Sequence, residues 1–170
     1  MLVLVGLMGA GKTSVGKKLA ENLHVGFLDA DHEIEIAAGM SIVEIFEKFG
    51  EDYFREGERK VIERLIKQKP QVLATGGGAF LSQEIRKTIN SYGTSIWLKA
   101  DLETLWSRVS GNNNRPLLNE ANPKSTLEKL IKKRYPIYMQ ADITVVSSAN
   151  SSHTNMIRKI KRELEKKSII

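Results

Sequence analysis

The sequence predicts an α/β fold, a parallel sheet of five strands flanked by helices in three layers. Three observations predict it. Short apolar runs alternate with helical periodicity along the chain, the pattern of parallel strands joined by helical crossovers. Residues 1–5, Met-Leu-Val-Leu-Val, are wholly apolar, as a strand buried on both faces must be. No repeat, low-complexity tract or linker divides the 170 residues, a length suited to one domain with a substantial core.

The stretch Gly6-Leu7-Met8-Gly9-Ala10-Gly11-Lys12-Thr13 follows the first strand and fits G-x-x-x-x-G-K-[ST], the phosphate-binding loop. Val15, Leu19 and Leu23 then recur at helical spacing, so the context is strand, glycine loop, helix. Glycines let the backbone curl until successive N–H groups face one phosphate, and the helix N-terminus adds positive potential. Lys12 can reach the β- and γ-phosphates of a nucleotide, and the Thr13 hydroxyl can ligate Mg²⁺.

A second strand is expected over residues 25–28, ending at Asp29-Ala30-Asp31. Residues 33–38 follow as a helix stopped by Gly39. Ser41 and Glu44 make a capping box that opens a short helix ending near Gly50, and a longer helix covers residues 52–67. The third strand, residues 72–74, runs into Gly76-Gly77-Gly78. Ser82 caps the next helix, with Ile85 and Ile89 on its inner face. Residues 95–98 form the fourth strand, and Asp101 caps a helix through Leu105, Trp106 and Val109. Periodicity then fails over residues 111–123. Ser125 and Glu128 form another capping box before a helix reaching Gln140 and interrupted by Pro136. Residues 143–146 are the fifth strand and residues 156–167 the last helix.

Hydrophobic content of 41% and charged content of 27% are those of a soluble globular protein. Without cysteine, neither disulfides nor thiolate metal sites are available. The N-terminus lacks a basic n-region, and no apolar run approaches the ~20 residues that span a bilayer. A cytoplasmic monomer with no membrane partner is expected. The net charge of +6 is concentrated in residues 129–134 and 158–167, on two expected helices. No interleaving of aromatic and basic residues accompanies it, so solvated helix faces are expected and no nucleic-acid partner.

Asp29 and Asp31 stand at the C-terminal end of a strand, the edge where α/β sheets bind ligands. Two carboxylates two apart along an extended segment share a side, where they could hold Mg²⁺ through water and accept a proton or hydrogen bond from a hydroxyl. Asp31 could instead cap the next helix. Three consecutive glycines at 76–78 suit a place where a ligand lies against backbone. Arg55, Arg108, Arg115 and Arg134 carry the planar fork that fits carboxylate and phosphate.

The ordered series of residues 6–13, Leu28-Asp29-Ala30-Asp31, Phe54-Arg55-x-x-Glu58, Thr75-Gly76-Gly77-Gly78, Arg115-Pro116-Leu117-Leu118 and Arg134-x-x-x-Tyr138 spans almost the whole chain. In it the sequence resembles the shikimate kinases, P-loop enzymes with a nucleoside-monophosphate-kinase-like fold. The resemblance implies ATP and Mg²⁺ as cofactors and shikimate as the small-molecule substrate. It implies nucleotide contacts from Gly9, Ala10, Gly11, Lys12, Thr13, Ser14, Arg108 and Arg115, with Arg108 flanking the adenine. Asp31, Arg55, Gly76, Gly77, Gly78 and Arg134 would hold shikimate, the two arginines on its carboxylate. Thr13 and Asp29 would serve the metal, and Lys12, Asp31 and Arg115 the chemistry. Residues 1–170 would form a single kinase domain, with an acceptor region over 31–60 and a lid over 111–123. One departure stands out: residues 147–153 carry neither the arginine nor the proline that related enzymes often place beside adenine, and His153 there is expected to face solvent. Two other readings stay open, a gluconate kinase of the same fold and a P-loop regulatory or nucleic-acid-binding protein.

Overall fold

The computed structural model describes residues 1–110, 122–148 and 150–170. One parallel sheet has the order β2-β3-β1-β4-β5, with β1 Leu2–Val5, β2 Gly26–Asp29, β3 Gln71–Ala74, β4 Thr94–Lys99 and β5 Ile143–Val146. The helices are α1 Lys12–Leu23, α2 Ala30–Ala38, α3 Ile42–Ile66, α4 Gln83–Tyr92, α5 Leu102–Val109, α6 Pro123–Tyr138 and α7 His153–Lys166. A 3₁₀ turn, Ala79–Leu81, precedes α4.

The central strand β1 is apolar because both of its faces are covered. On one face α1 lies directly on the sheet: a Cβ at Gly16 would stand 2.6 Å from Phe27 and 3.1 Å from Leu4. Val3 and Val5 point the other way and are equally buried. Helices therefore flank both faces, the expected three layers.

The register aligns the site. Leu4 pairs with Ala74 and Ala74 with Asp29, so the C-terminal ends of β1, β3 and β2 lie side by side. The loops after them open on one edge of the sheet, where parallel α/β folds bind ligands.

Several boundaries differ from expectation. β2 extends to Asp29, whose carboxylate caps α2 by accepting from the Asp31 N–H at 3.1 Å. Asp31 therefore sits inside the first turn of α2, and the two carboxylates do not share an extended segment. The two helices expected around Gly50 join in one run bent there, at φ 80° and ψ 179°, a conformation essentially confined to glycine. α6 opens at Asn122 rather than at the Ser125–Glu128 pair. Asn122 Oδ1 accepts from the Ser125 N–H and Pro123 takes the first helical position, leaving Glu128 to pair with Lys132 at 2.9 Å. Pro136 does not interrupt α6, which stays helical to Tyr138. α7 starts at His153 behind a Ser152 cap, earlier than its apolar periodicity. The segment expected to be a lid lies outside the described residues, apart from Asn122 and Pro123.

Candidate active site

The loop between β1 and α1 is shaped by glycines with positive φ: Gly6 at 141°, Gly9 at 77° and Gly11 at 92°. Space adds to conformation. A Cβ at Gly6 would stand 2.9 Å from the Leu98 carbonyl oxygen, and one at Gly9 2.7 Å from Val109 Cγ1. Gly11 opens α1 with no side-chain cap, the arrangement that presents a helix N-terminus to an anion. Lys12 Nζ donates to the carbonyls of Gly6 and Leu7 at 2.8 and 3.0 Å, which keeps its ammonium over the loop. Thr13 Oγ1 donates to Asp29 Oδ2 at 2.9 Å, so the cap of α2 also tethers the start of α1.

Across the cavity, the Thr75 hydroxyl donates to the Leu4 carbonyl at 3.0 Å and anchors the glycine triplet to β1. None of Gly76, Gly77 and Gly78 has positive φ. They supply room instead. A Cβ at Gly76 would stand 2.7 Å from Asp31 Oδ1, and one at Gly78 2.5 Å from Arg55 Nη1. At Gly77 the nearest atoms would be at an ordinary 3.6 Å. Arg55 Nη1 donates to Glu58 Oε2 at 2.8 Å and Nη2 to Glu51 Oε1 at 3.2 Å. Glu58 is 1% exposed, a rare place for a carboxylate unless it is paired. From α6, Arg134 Nη1 donates to the Gly77 carbonyl at 3.2 Å, and the Tyr138 hydroxyl donates to the same oxygen.

Electrostatics follow from this burial. Desolvation raises the Asp31 carboxyl above its usual range and the Asp29 charge adds to it, with Lys12 and Arg55 opposing. Desolvation also raises Glu58, against the pull of Arg55. Burial works against the Arg55 charge, but Glu58 and Glu51 outweigh it and hold the guanidinium protonated. Burial pushes the Tyr138 hydroxyl up to about 12, so it keeps its proton.

Gly9, Ala10, Gly11, Lys12, Thr13, Ser14, Asp29, Asp31, Gly76, Gly77 and Arg108 line one cavity of about 560 Å³. A hydroxyl–carboxylate pair, an ammonium and a glycine loop at one end thus face a shielded carboxylate and a second glycine loop at the other. Such a cavity suits phosphoryl transfer, which needs positioning and charge neutralisation more than covalent help.

The sequence model of the family described as shikimate kinase matches residues 8–165. The chain belongs to the shikimate kinase family. Among curated relatives, a shikimate kinase of Ruegeria pomeroyi is 52% identical over 159 residues, 94% of this chain and 82% of that one. One of Rhizobium leguminosarum bv. trifolii is 55% identical over 146 residues, 86% of this chain and 74% of that one. A solved shikimate kinase of Acinetobacter baumannii, in complex with shikimate, superposes with a TM-score of 0.91 at 40% identity, covering 99% of this chain and 94% of that one. A gluconokinase from Sinorhizobium meliloti, at 16% identity and a TM-score of 0.64, shares the fold alone. Like its family, the protein is an ATP-dependent kinase.

The site residues predicted from the shikimate kinase resemblance fall into three groups. Those of the two glycine loops, with Asp29, Asp31 and Arg108, meet in the cavity, except Gly78. Gly78, Arg55 and Arg134 stand behind its wall, Arg55 facing a second cavity of about 480 Å³ with Asp52, Glu58 and Ser82. Arg115 lies outside the described residues. Arg108 ties two loops together, donating from Nη1 to the Gly9 carbonyl at 3.2 Å and from Nη2 to Ser147 Oγ and the Ser148 carbonyl at 3.0 Å each. His153 is exposed as expected, yet it also lines the cavity, its Nδ1 3.3 Å from Lys18 Nζ. Glu58, Tyr138 and Ser147 received no role from the sequence. Glu58 and Tyr138 stood inside quoted motifs, each one helical turn from an arginine, which was the available signal.

Proposed function

We propose that the protein transfers the γ-phosphoryl group of ATP to the 3-hydroxyl of shikimate, giving shikimate 3-phosphate and ADP. One observation carries this reading: the phosphate-binding loop and the Asp31 carboxylate face each other in one cavity. Residues Gly9 to Ser14 hold the phosphates, and Lys12 neutralises charge on the β- and γ-oxygens. Arg55 and Arg134 take the shikimate carboxylate, each as a charge-assisted donor, while the backbone of the triplet lies against the ring. The acceptor oxygen attacks the γ-phosphorus, the bond to the β–γ bridging oxygen breaks, and ADP leaves. Asp31 accepts the hydroxyl proton, a role favoured by the burial that raises its carboxyl above the usual range.

Thr13 and Asp29 offer the hard oxygen donors that Mg²⁺ takes, and phosphates and water would complete its shell. When bound it supplies further charge neutralisation at the phosphates. Arg115 would meet the transferring group from the segment 111–123, and Arg108 would flank the adenine.

We take residues 1–170 as one kinase domain acting as a cytoplasmic monomer. No helix among the described residues is long and apolar enough to cross a membrane. Two lysines of the basic helix α7 turn to the body of the protein, Lys159 donating to the Val146 carbonyl at 3.1 Å and Lys161 to Asn22 Oδ1 at 3.0 Å, and we expect no nucleic-acid partner.

A coupled ADP-release assay with shikimate, with gluconate and with no acceptor tests the reading. Turnover is expected with shikimate only. Turnover with gluconate at a comparable rate would reassign the acceptor.

A further inference from the structure

The Gly77 carbonyl accepts from two donors on α6, Arg134 Nη1 and the Tyr138 hydroxyl. Gly77 also sits against the phosphate loop, where a Cβ would be 3.6 Å from the Gly6 carbonyl oxygen and the Met8 nitrogen. This one carbonyl therefore ties the glycine triplet to α6, as Thr75 ties it to β1. The Tyr138 ring is fully buried and packs on Phe80 and Trp97, with centroids 6.4 and 5.8 Å away. A phenylalanine would fill that space equally well. The hydroxyl must have a separate use.

We propose that Tyr138 is a positioning residue for the acceptor: its hydroxyl holds the Gly77 carbonyl so that Arg134 can turn its fork to the acceptor carboxylate. The inference rests on the reading above, in which Arg134 binds that carboxylate. An end-on grip on a carboxylate, through Nη1 and Nη2, competes for Nη1, which otherwise donates to Gly77. With Tyr138 in place the carbonyl keeps a partner when Arg134 leaves. Without the hydroxyl, that departure would orphan a shielded carbonyl, so Arg134 is held back on Gly77 and grips the carboxylate less well.

The test is steady-state kinetics on Tyr138→Phe beside Tyr135→Phe. Tyr135 belongs to the same aromatic layer, with Trp97 at 4.9 Å, but its hydroxyl donates to the Ala100 carbonyl. Tyr138→Phe is expected to raise KM for shikimate on the order of tenfold, with kcat and KM for ATP little changed. Tyr135→Phe is expected to leave KM for shikimate unmoved at a similar melting temperature. Equal effects of the two variants, or no effect of Tyr138→Phe, overturn the inference alone. A wild type that neither binds nor phosphorylates shikimate overturns the underlying reading and this inference with it. A measurement on the wild type needs no variant to fold: the Tyr138 hydroxyl proton should give a slowly exchanging NMR resonance that persists on adding shikimate. Its disappearance on addition overturns the proposal.

Discussion

At Asp31, burial and the neighbouring Asp29 charge both disfavour ionisation, and Lys12 and Arg55 offset them only in part. Its charged form therefore destabilises the fold at neutral pH. A carboxyl whose folded pKa is raised carries that penalty above the folded pKa and sheds it below the unfolded one. Asp31→Asn is thus expected to melt higher than wild type at neutral pH, the gap closing on acidification through the raised pKa. Turnover should fall by about 10²–10⁴, the usual contribution of a positioned base. Calorimetry on both proteins across pH checks the first half, and a variant less stable than wild type at neutral pH would contradict the burial argument. Arg115, outside the described residues, is testable through kinetics. Arg115→Ala should cut kcat by about 10³ or more, as arginines at a transferring phosphoryl group do, while the dissociation constant for shikimate barely moves. A loss confined to shikimate binding would place Arg115 elsewhere.

Between β3 and α4, the glycine triplet separates two reasons for glycine. Its conformation asks for none, since no φ there is positive, but Asp31 and Arg55 occupy the volume that a Cβ at 76 or 78 would need. Gly78→Ala should therefore displace Arg55 and raise KM for shikimate roughly tenfold, the worth of a charge-assisted hydrogen bond, with KM for ATP unchanged. Gly77→Ala, with only ordinary contacts, should do far less to KM. Similar effects from both would return the explanation to backbone freedom. The sequence marked the triplet as special and suggested closeness to a ligand; the structure adds a second reason it did not announce, closeness to the site's own side chains. Such crowding is a tertiary fact. The same holds for Glu58: an acid three residues after an arginine suggests an exposed helix pair, and nothing local announces 1% exposure. Local signals competing within a few residues were the other source of error. Asn122-Pro123 won the start of α6 from Ser125 because a proline at the first helical position presets the helix there.

Over the whole molecule, what was legible follows from periodicity and punctuation. The five strands, their alternation with helices and the caps at Ser41, Ser82 and Asp101 were all visible, because apolar runs and cap residues act within a turn or two. The phosphate loop was visible for the same reason. Arg55 and Arg134 stood out as anion-binding candidates, but not as partners, since 79 residues separate them and only the fold brings both to one triplet; the family resemblance supplied their shared ligand. The central claim is a division of labour, with the glycine loop of α1 serving the nucleotide and the triplet backed by α3 and α6 serving the acceptor. Isothermal titration of ADP and of shikimate into Lys12→Ala and Arg134→Ala tests it most directly. Lys12→Ala should weaken ADP by roughly ten- to a hundredfold and leave shikimate nearly unchanged, and Arg134→Ala should do the reverse, each loss being that of one charge-assisted contact. Folded variants in which each substitution weakens both ligands alike, or the wrong one, would contradict the account.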